Sequence, residues 1–232
     1  MNLDEFVFEV EKLGINLDDE KLSLFKKYYQ LLIEWNNKFN LTSITEKKDV
    51  YLKHFYDSLT VCKVIDFNKV NSLCDIGTGA GFPGVVLKIV FPNIKLTLVD
   101  SLNKRIKFLS VVVSELKLKN VNLFHTRAEE FARQMTEKYD VVIARAVSSF
   151  NILLEYSIPI VKKDKYFISM RGVDDSYTGE NALNILNSKI VKKECFTLPF
   201  ENSSRTIILV QKFGITNNKY PRRFSEIKKH PL

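Results

Sequence analysis

The stretch Asp75-Ile76-Gly77-Thr78-Gly79-Ala80-Gly81-Phe82-Pro83-Gly84 constrains this chain more than any other. Before it, Val70-Asn71-Ser72-Leu73-Cys74 suits a buried strand. After it, Val85-Val86-Leu87-Lys88-Ile89-Val90-Phe91 suits a helix that Pro92 stops. Strand, glycine turn and helix together make a nucleotide-binding corner. Glycine lets the backbone turn tightly and approach a ligand, and the helix start offers unpaired N–H groups and the positive end of a dipole. Downstream, Ile94-Lys95-Leu96-Thr97-Leu98-Val99 alternates apolar and polar residues and ends in Asp100. An acid at the end of the second strand can accept from ribose hydroxyls. Three close glycines alone would also fit a surface turn; strand, helix and acid in register favour an adenosine-type ligand.

The spacing discriminates between nucleotides. A dinucleotide fingerprint needs a small residue at the third conserved position, for close helix–strand packing, and here that position is the bulky Phe82. The order Asp-x-Gly-x-Gly-x-Gly instead resembles motif I of the Rossmann-like S-adenosylmethionine (SAM) methyltransferases. An NAD-dependent oxidoreductase built on the same type of sheet is the weaker alternative.

Residues 1–62 read as helical. Leu3, Phe6, Val7, Val10 and Leu13 share a face with Gly14 just beyond, and Asn16 or Asp18 is placed to cap a second helix with the stripe Leu22, Phe25, Tyr29, Leu32 and Trp35. Residues 36–43 read as a polar break, and a third helix is expected over about 46–64 with Leu52, Phe55, Leu59 and Cys62 inward. From Val70 onward, strand-like runs (70–75, 94–99, 121–125, 139–144, 165–170, 189–196, 206–212) alternate with helix-like runs (83–91, 102–118, 128–135, 149–161, 176–188). Alternation of this kind predicts a parallel sheet covered on both faces. The last two strands have only a short loop between them, so the final strand is expected to be antiparallel. The expected organisation is a helical cap over 1–64, an α/β domain over 65–213 and a basic tail over 214–232 too polar to pack as a core element.

Net charge of +8 among 232 residues favours a polyanionic partner, although a merely basic protein would show the same number. Cys62, Cys74 and Cys195 are scattered without Cys-x-x-Cys spacing, which argues against a disulfide framework or a metal site and fits a reducing, cytoplasmic setting. No signal-peptide pattern is read at the N-terminus, and no apolar run is long enough to span a bilayer.

Chemistry narrows the acceptor. Enzymes that methylate exocyclic amines commonly carry Asp/Asn-Pro-Pro-Tyr/Phe after the fourth strand, where this chain reads Ile143-Ala144-Arg145-Ala146-Val147. Methylation at pyrimidine C5 needs a cysteine nucleophile, and none sits at a suitable strand end. A ring nitrogen such as guanine N7 brings its own lone pair and needs no base. Arg145 closes an apolar strand at the ligand-binding edge, either as a functional cation or as a salt-bridged structural one. Glu129 follows the third strand, where adenine contacts usually lie, but would also suit a helix first turn. His54, Asp57 and Ser58 share one helix face, and on position alone such a trio is more often a solvated surface than a site.

Taken together, Asn40-Leu41-Thr42, His54-x-x-Asp57-Ser58, the glycine stretch, Leu98-Val99-Asp100-Ser101-x-x-Lys104-Arg105, Arg127-Ala128-Glu129-Glu130 and Ala144-Arg145-Ala146 resemble the RsmG (GidB) family of bacterial 16S ribosomal RNA methyltransferases, which make 7-methylguanosine from SAM. The resemblance runs over about 30–212. It implies a class I fold with a seven-stranded, mostly parallel sheet, SAM as cofactor, and 16S rRNA in the small subunit or an assembly intermediate as partner. By position it implies cofactor contacts at Gly77, Gly79, Gly81, Phe82, Asp100, Ala128, Glu129 and Arg145. It also implies a catalytic group of Arg145, His54 and Asp57, and RNA contacts at Asn40, Lys53, Arg171, Arg222 and Arg223. The expected state is a monomer. A non-catalytic RNA-binding assembly factor that keeps the fold is a further alternative. The tail departs from the family pattern, reading Phe224-Ser225-Glu226-Ile227 after its two arginines.

Overall fold

In the computed structural model, which describes residues 1–145, 148–172 and 179–232, the alternating half of the chain forms one seven-stranded sheet ordered β3-β2-β1-β4-β5-β7-β6. The strands are β1 (Ser72–Ile76), β2 (Lys95–Asp100), β3 (Val121–His125), β4 (Tyr139–Arg145), β5 (Val161–Arg171), β6 (Ser188–Thr197) and β7 (Ser204–Lys212). β1 to β5 pair in parallel, and β7 runs antiparallel between β5 and β6. The antiparallel last strand is therefore as expected. β5 begins earlier than its apolar run, because Lys162, Lys163 and Asp164 disguise its first turn of chain as loop.

Side chains alternate across the sheet, as a pleat requires. Leu73, Leu96, Leu98, Val141 and Ile143 enter one core with the N-terminal helices and the 84–90 helix. Cys74, Ile76, Val99, Val142 and Ala144 enter the other, with the helices at 128–134 and 150–157. The 150–157 helix ends sooner than the expected 161. Pro159 has no N–H to continue the ladder, and a 3-10 turn over Ile158–Ile160 leads into β5. Of the expected 176–188 helix, residues 176–178 lie outside the described residues; the remainder is a short helix over Glu180–Ile185. No helix among the described residues is long and apolar enough to cross a membrane.

At the N-terminus, Asn2 and Glu5 form a reciprocal cap on the Leu3–Glu11 helix, and Asp18 caps the Asp19–Phe39 helix through the Lys21 N–H. The second helix runs through the start of the expected polar break and stops at Asn40, whose left-handed backbone (φ 47°) closes it. Its inward residue is Tyr28 rather than Tyr29, which is only half-buried. The third helical segment is composite: an α turn over Lys47–Asp49, a π-helix over Val50–Tyr56, an α turn over Asp57–Leu59 and a 3-10 turn over Thr60–Lys63. A π segment shifts side-chain direction relative to an ordinary helix. Here His54, Asp57 and Ser58 are all buried, so the reading of them as a solvated face is corrected.

The tail packs, contrary to expectation. Residues 224–229 form a short helix, Ile227 is fully buried, and Tyr220 and Leu232 pack against the second core. Arg222 makes a two-pronged ion pair with Glu155, a fully buried carboxylate on the 150–157 helix, at 2.8 and 2.7 Å.

Candidate active site

The glycine turn leaves β1 at Asp75 and is held from below. The Asp75 carboxylate, fully buried, accepts from the Thr78 hydroxyl at 2.7 Å and from the Gly84 N–H at 2.8 Å. Burial raises its pKa to about 6 despite those two bonds. The Tyr28 hydroxyl donates to the Ala80 carbonyl from the neighbouring helix. Gly81, at φ 101°, lies so close that a Cβ there would stand 2.5 Å from the Tyr28 oxygen. Gly81 thus lets the helix approach the turn and, unlike Gly77 and Gly79, does not line the cavity.

Above the turn opens a cavity of about 700 Å³. Gly77, Gly79, Phe82, Asp100, Ala128, Glu129 and Arg145 line it, together with Leu41, Thr42, His54, Arg105 and Phe224. The sequence thus anticipated seven of these residues as cofactor contacts. Asp100 also holds the backbone around it. Its Oδ2 accepts from the Gly79 N–H at 2.9 Å and from Arg105 at 3.1 Å, while Oδ1 accepts from the Leu102 N–H at 2.9 Å. The carboxylate ties β2 to the glycine turn, and one lone pair of Oδ1 remains for a further donor.

Arg145, His54, Phe82 and Thr42 form the far wall. Phe82 stacks on the His54 imidazole, centroids 4.3 Å apart and planes 14° off parallel, and the Arg145 guanidinium lies 5.4 Å from the same ring. Arg145 donates to the Lys53 carbonyl at 3.1 Å and approaches His54 Nδ1 at 3.2 Å. A guanidinium can only donate, so Nδ1 accepts and the imidazole proton sits on Nε2. Nε2 lies 3.0 Å from the Thr42 hydroxyl oxygen, which also accepts from the Ile44 N–H at 3.1 Å. With both bonds entering its oxygen, Thr42 has its own hydroxyl proton left to donate. Burial, and then the Arg145 cation, push the His54 pKa down to about 3, so the ring is neutral. Behind this layer, Asp57 Oδ2 lies 3.5 Å from Arg145 and 3.1 Å from the Arg205 Nε. Burial raises the Asp57 pKa while both arginines oppose that rise.

The residues expected on the RNA side divide. Lys53 and Arg171 line a second cavity that shares His54 and Arg145 with the first. Lys53 pairs with Glu201 at 3.2 Å and with Asp49 at 3.3 Å. Asn40 is exposed at the helix end and lines neither cavity. Arg223 is exposed just before the tail helix. Arg222 is half-buried and paired with Glu155 rather than free. Sequence reasoning missed Tyr28, Thr42, Arg205 and Phe224. Tyr28 was accessible from the spacing Phe25, Tyr28, Leu32; Arg205 and Phe224 carry no local signal.

A doubly flanked sheet with a glycine-turn cavity at the carboxyl ends of β1, β2 and β4 defines a Rossmann-like class I methyltransferase fold. Solved structures agree. The chain superposes on a precorrin-6y C5,15-methyltransferase from Geobacter metallireducens with a TM-score of 0.52 at 14% identity, covering 66% of this chain and 87% of that one. It superposes on Pyrococcus horikoshii TYW2 in complex with MeSAdo with a TM-score of 0.52 at 12% identity, covering 63% and 60%. Sequence relationship is closer. The family model described as rRNA small subunit methyltransferase G (GidB) matches residues 21–204. Proteins named ribosomal RNA small subunit methyltransferase G from Bacillus licheniformis and Bacillus subtilis are 47% and 44% identical over 237 aligned residues, each covering 100% of this chain and 99% of the relative. The chain belongs to the GidB family of small-subunit rRNA methyltransferases.

Proposed function

We propose that this protein transfers the methyl group of SAM to N7 of a guanosine in the 16S ribosomal RNA of the small subunit. Family membership supports the reaction class, and one observation supports the choice of atom: among the described residues, the wall that faces the donor cavity carries no free imidazole, and Asp57 behind it turns Oδ2 to two arginines. The only imidazole there has its Nδ1 lone pair facing Arg145, its Nε2 proton facing Thr42, and a pKa near 3. The carboxylate behind it is engaged by two arginines. An exocyclic amine or a sugar hydroxyl must lose a proton to complete its methylation, and among the described residues neither the neutral His54 ring nor the arginine-paired Oδ2 of Asp57 is a free acceptor for it. Guanine N7 needs none: the N7–carbon bond forms as the sulfur–carbon bond breaks, and the ring takes up the positive charge.

The cavity fits the methyl donor. A Cβ built on Gly79 would meet nothing within 4 Å, so the turn presents open backbone to a ligand. Asp100 retains an acceptor for a ribose hydroxyl, and Ala128 and Glu129 stand at the start of the 128–134 helix where an adenine would lie. When bound, SAM supplies an electrophilic methyl group on a sulfonium. The chain's own contribution is to orient the two reactants and to exclude water. Cytoplasmic location and action on the subunit or a precursor of it accompany this reading.

The test is methyl transfer from tritiated SAM to small subunits isolated from cells lacking this protein, followed by nucleoside analysis. Label in 7-methylguanosine is expected; label in any other nucleoside, or in none, overturns the proposal.

A further inference from the structure

The second cavity, of about 350 Å³, opens on the other side of the wall formed by His54 and Arg145. That size lies at the lower end of the range for small-ligand sites, about 300–1,000 Å³. Ile44, Met170 and Ile207 give it apolar surface, and Lys53, Arg171 and Arg205 give it cations. Its one carboxylate among the described residues is Asp57, which is 4% exposed. Oδ2 of Asp57 is turned to the two arginines, whereas Oδ1 is buried with no hydrogen-bond partner among the described residues. A carboxylate oxygen left buried and unpaired is costly, and because Asp57 lines this cavity a ligand there can supply the missing donor.

We propose that this cavity receives the target base and that Asp57 Oδ1 selects guanine by accepting from its N1–H and 2-amino group. This rests on the reading of the protein as a guanine-N7 methyltransferase. Guanine carries two adjacent donors on that edge, while adenine presents a lone pair at N1, which a carboxylate repels. N7 lies at the opposite end of the purine, so a base anchored at Asp57 presents N7 away from it. His54 and Arg145 belong to both cavities, which makes their rim the junction where N7 and the methyl donor meet. As the ring gains positive charge its N1–H becomes a stronger donor, so the bond to Asp57 tightens during transfer. An interaction stronger in the transition state than in the ground state raises the rate as well as the selectivity.

The experiment compares small-subunit RNA carrying guanosine, inosine or 2-aminopurine at the methylated position, installed by splinted ligation, with wild-type protein and Asp57→Asn. Inosine lacks the 2-amino group, and 2-aminopurine lacks the N1–H. For the wild type, each replacement is expected to lower kcat/KM by about tenfold or more, the usual loss for a hydrogen bond to a charged group. In Asp57→Asn the arginines hold the amide oxygen on their side, so the amide NH2 faces the base. The guanosine-to-inosine ratio should then collapse to within about twofold while SAM affinity is kept. A merely structural role for Asp57 would lower all three substrates equally and leave the ratio unchanged, which overturns the inference. Equal use of inosine and guanosine by the wild type overturns it without any variant. If the wild type methylates guanosine at an atom other than N7, or not at all, the functional reading fails first and this assignment fails with it.

Discussion

Thr42 is the residue whose hydrogen bonding is most tightly dictated by its neighbours. Arg145 fixes the His54 tautomer, the tautomer fixes the direction of the bond to Thr42, and the Thr42 proton is thereby left free to donate. Replacing Thr42 by Val should leave the His54 Nε2–H and the Ile44 N–H without their acceptor. We expect about a tenfold loss in methyl transfer and about 1–3 kcal/mol of stability, with Thr42→Ser restoring most of both; steady-state assays and urea titrations check this. His54 also gives a signed pH dependence. An unfolded histidine takes up a proton near 6.5, whereas the folded ring refuses it until about 3. The stability it contributes is therefore complete above 6.5 and is lost as pH falls toward 3. His54→Gln should flatten the stability profile across that window, and the wild-type pH–rate profile should show no inflection near 6.5. Asp100→Ala should weaken SAM binding in calorimetry. It should also lower the melting temperature, because the carboxylate anchors the Gly79 and Leu102 N–H groups as well as facing the ligand.

Among the elements, the tail departs furthest from what its composition suggests. Five basic residues over 219–229 against Glu226 read as a solvated RNA-binding strap, yet Arg222 turns inward to a carboxylate that lies far away in the chain. Arg222→Ala strands Glu155 in the second core. The expected destabilisation lies toward the lower end of about 3–5 kcal/mol, since one side of the guanidinium is solvated. Deleting residues 219–232 should lower the melting temperature and, because Phe224 lines the larger cavity, reduce SAM affinity too. Arg223, Lys228 and Lys229 remain exposed, so the salt dependence of RNA binding should flatten only by the few phosphates they reach. The strands and the glycine corner were legible because their signals are local: period-two alternation, turn glycines, an acid at a strand end. The far wall was named only through the family resemblance, because no local pattern joins its residues. His54 and Arg145 are 91 residues apart, and Asp57 and Arg205 are 148 apart. The π segment that brings His54 and Asp57 inward also breaks the periodicity from which their burial would be read.

Across the whole molecule, the helices of residues 1–63 share one continuous core with a face of the sheet, and Tyr28 reaches from them to the turn beneath the ligand cavity. The ligand-bearing turn and the N-terminal helices therefore cannot lose structure separately without exposing a common apolar surface. The consequence is thermodynamic. A ligand that binds only the folded chain stabilises it by an amount set by its concentration relative to its dissociation constant, about 2.7 kcal/mol at a hundredfold excess. That increment should appear as a displacement of a single heat-absorption peak, with no shoulder left at the original temperature. Amide hydrogens along residues 19–39 should slow their exchange in step with those of β1, since Tyr28 joins that helix to the turn. Melting the N-terminal helices would then carry the same calorimetric signature as releasing the cofactor.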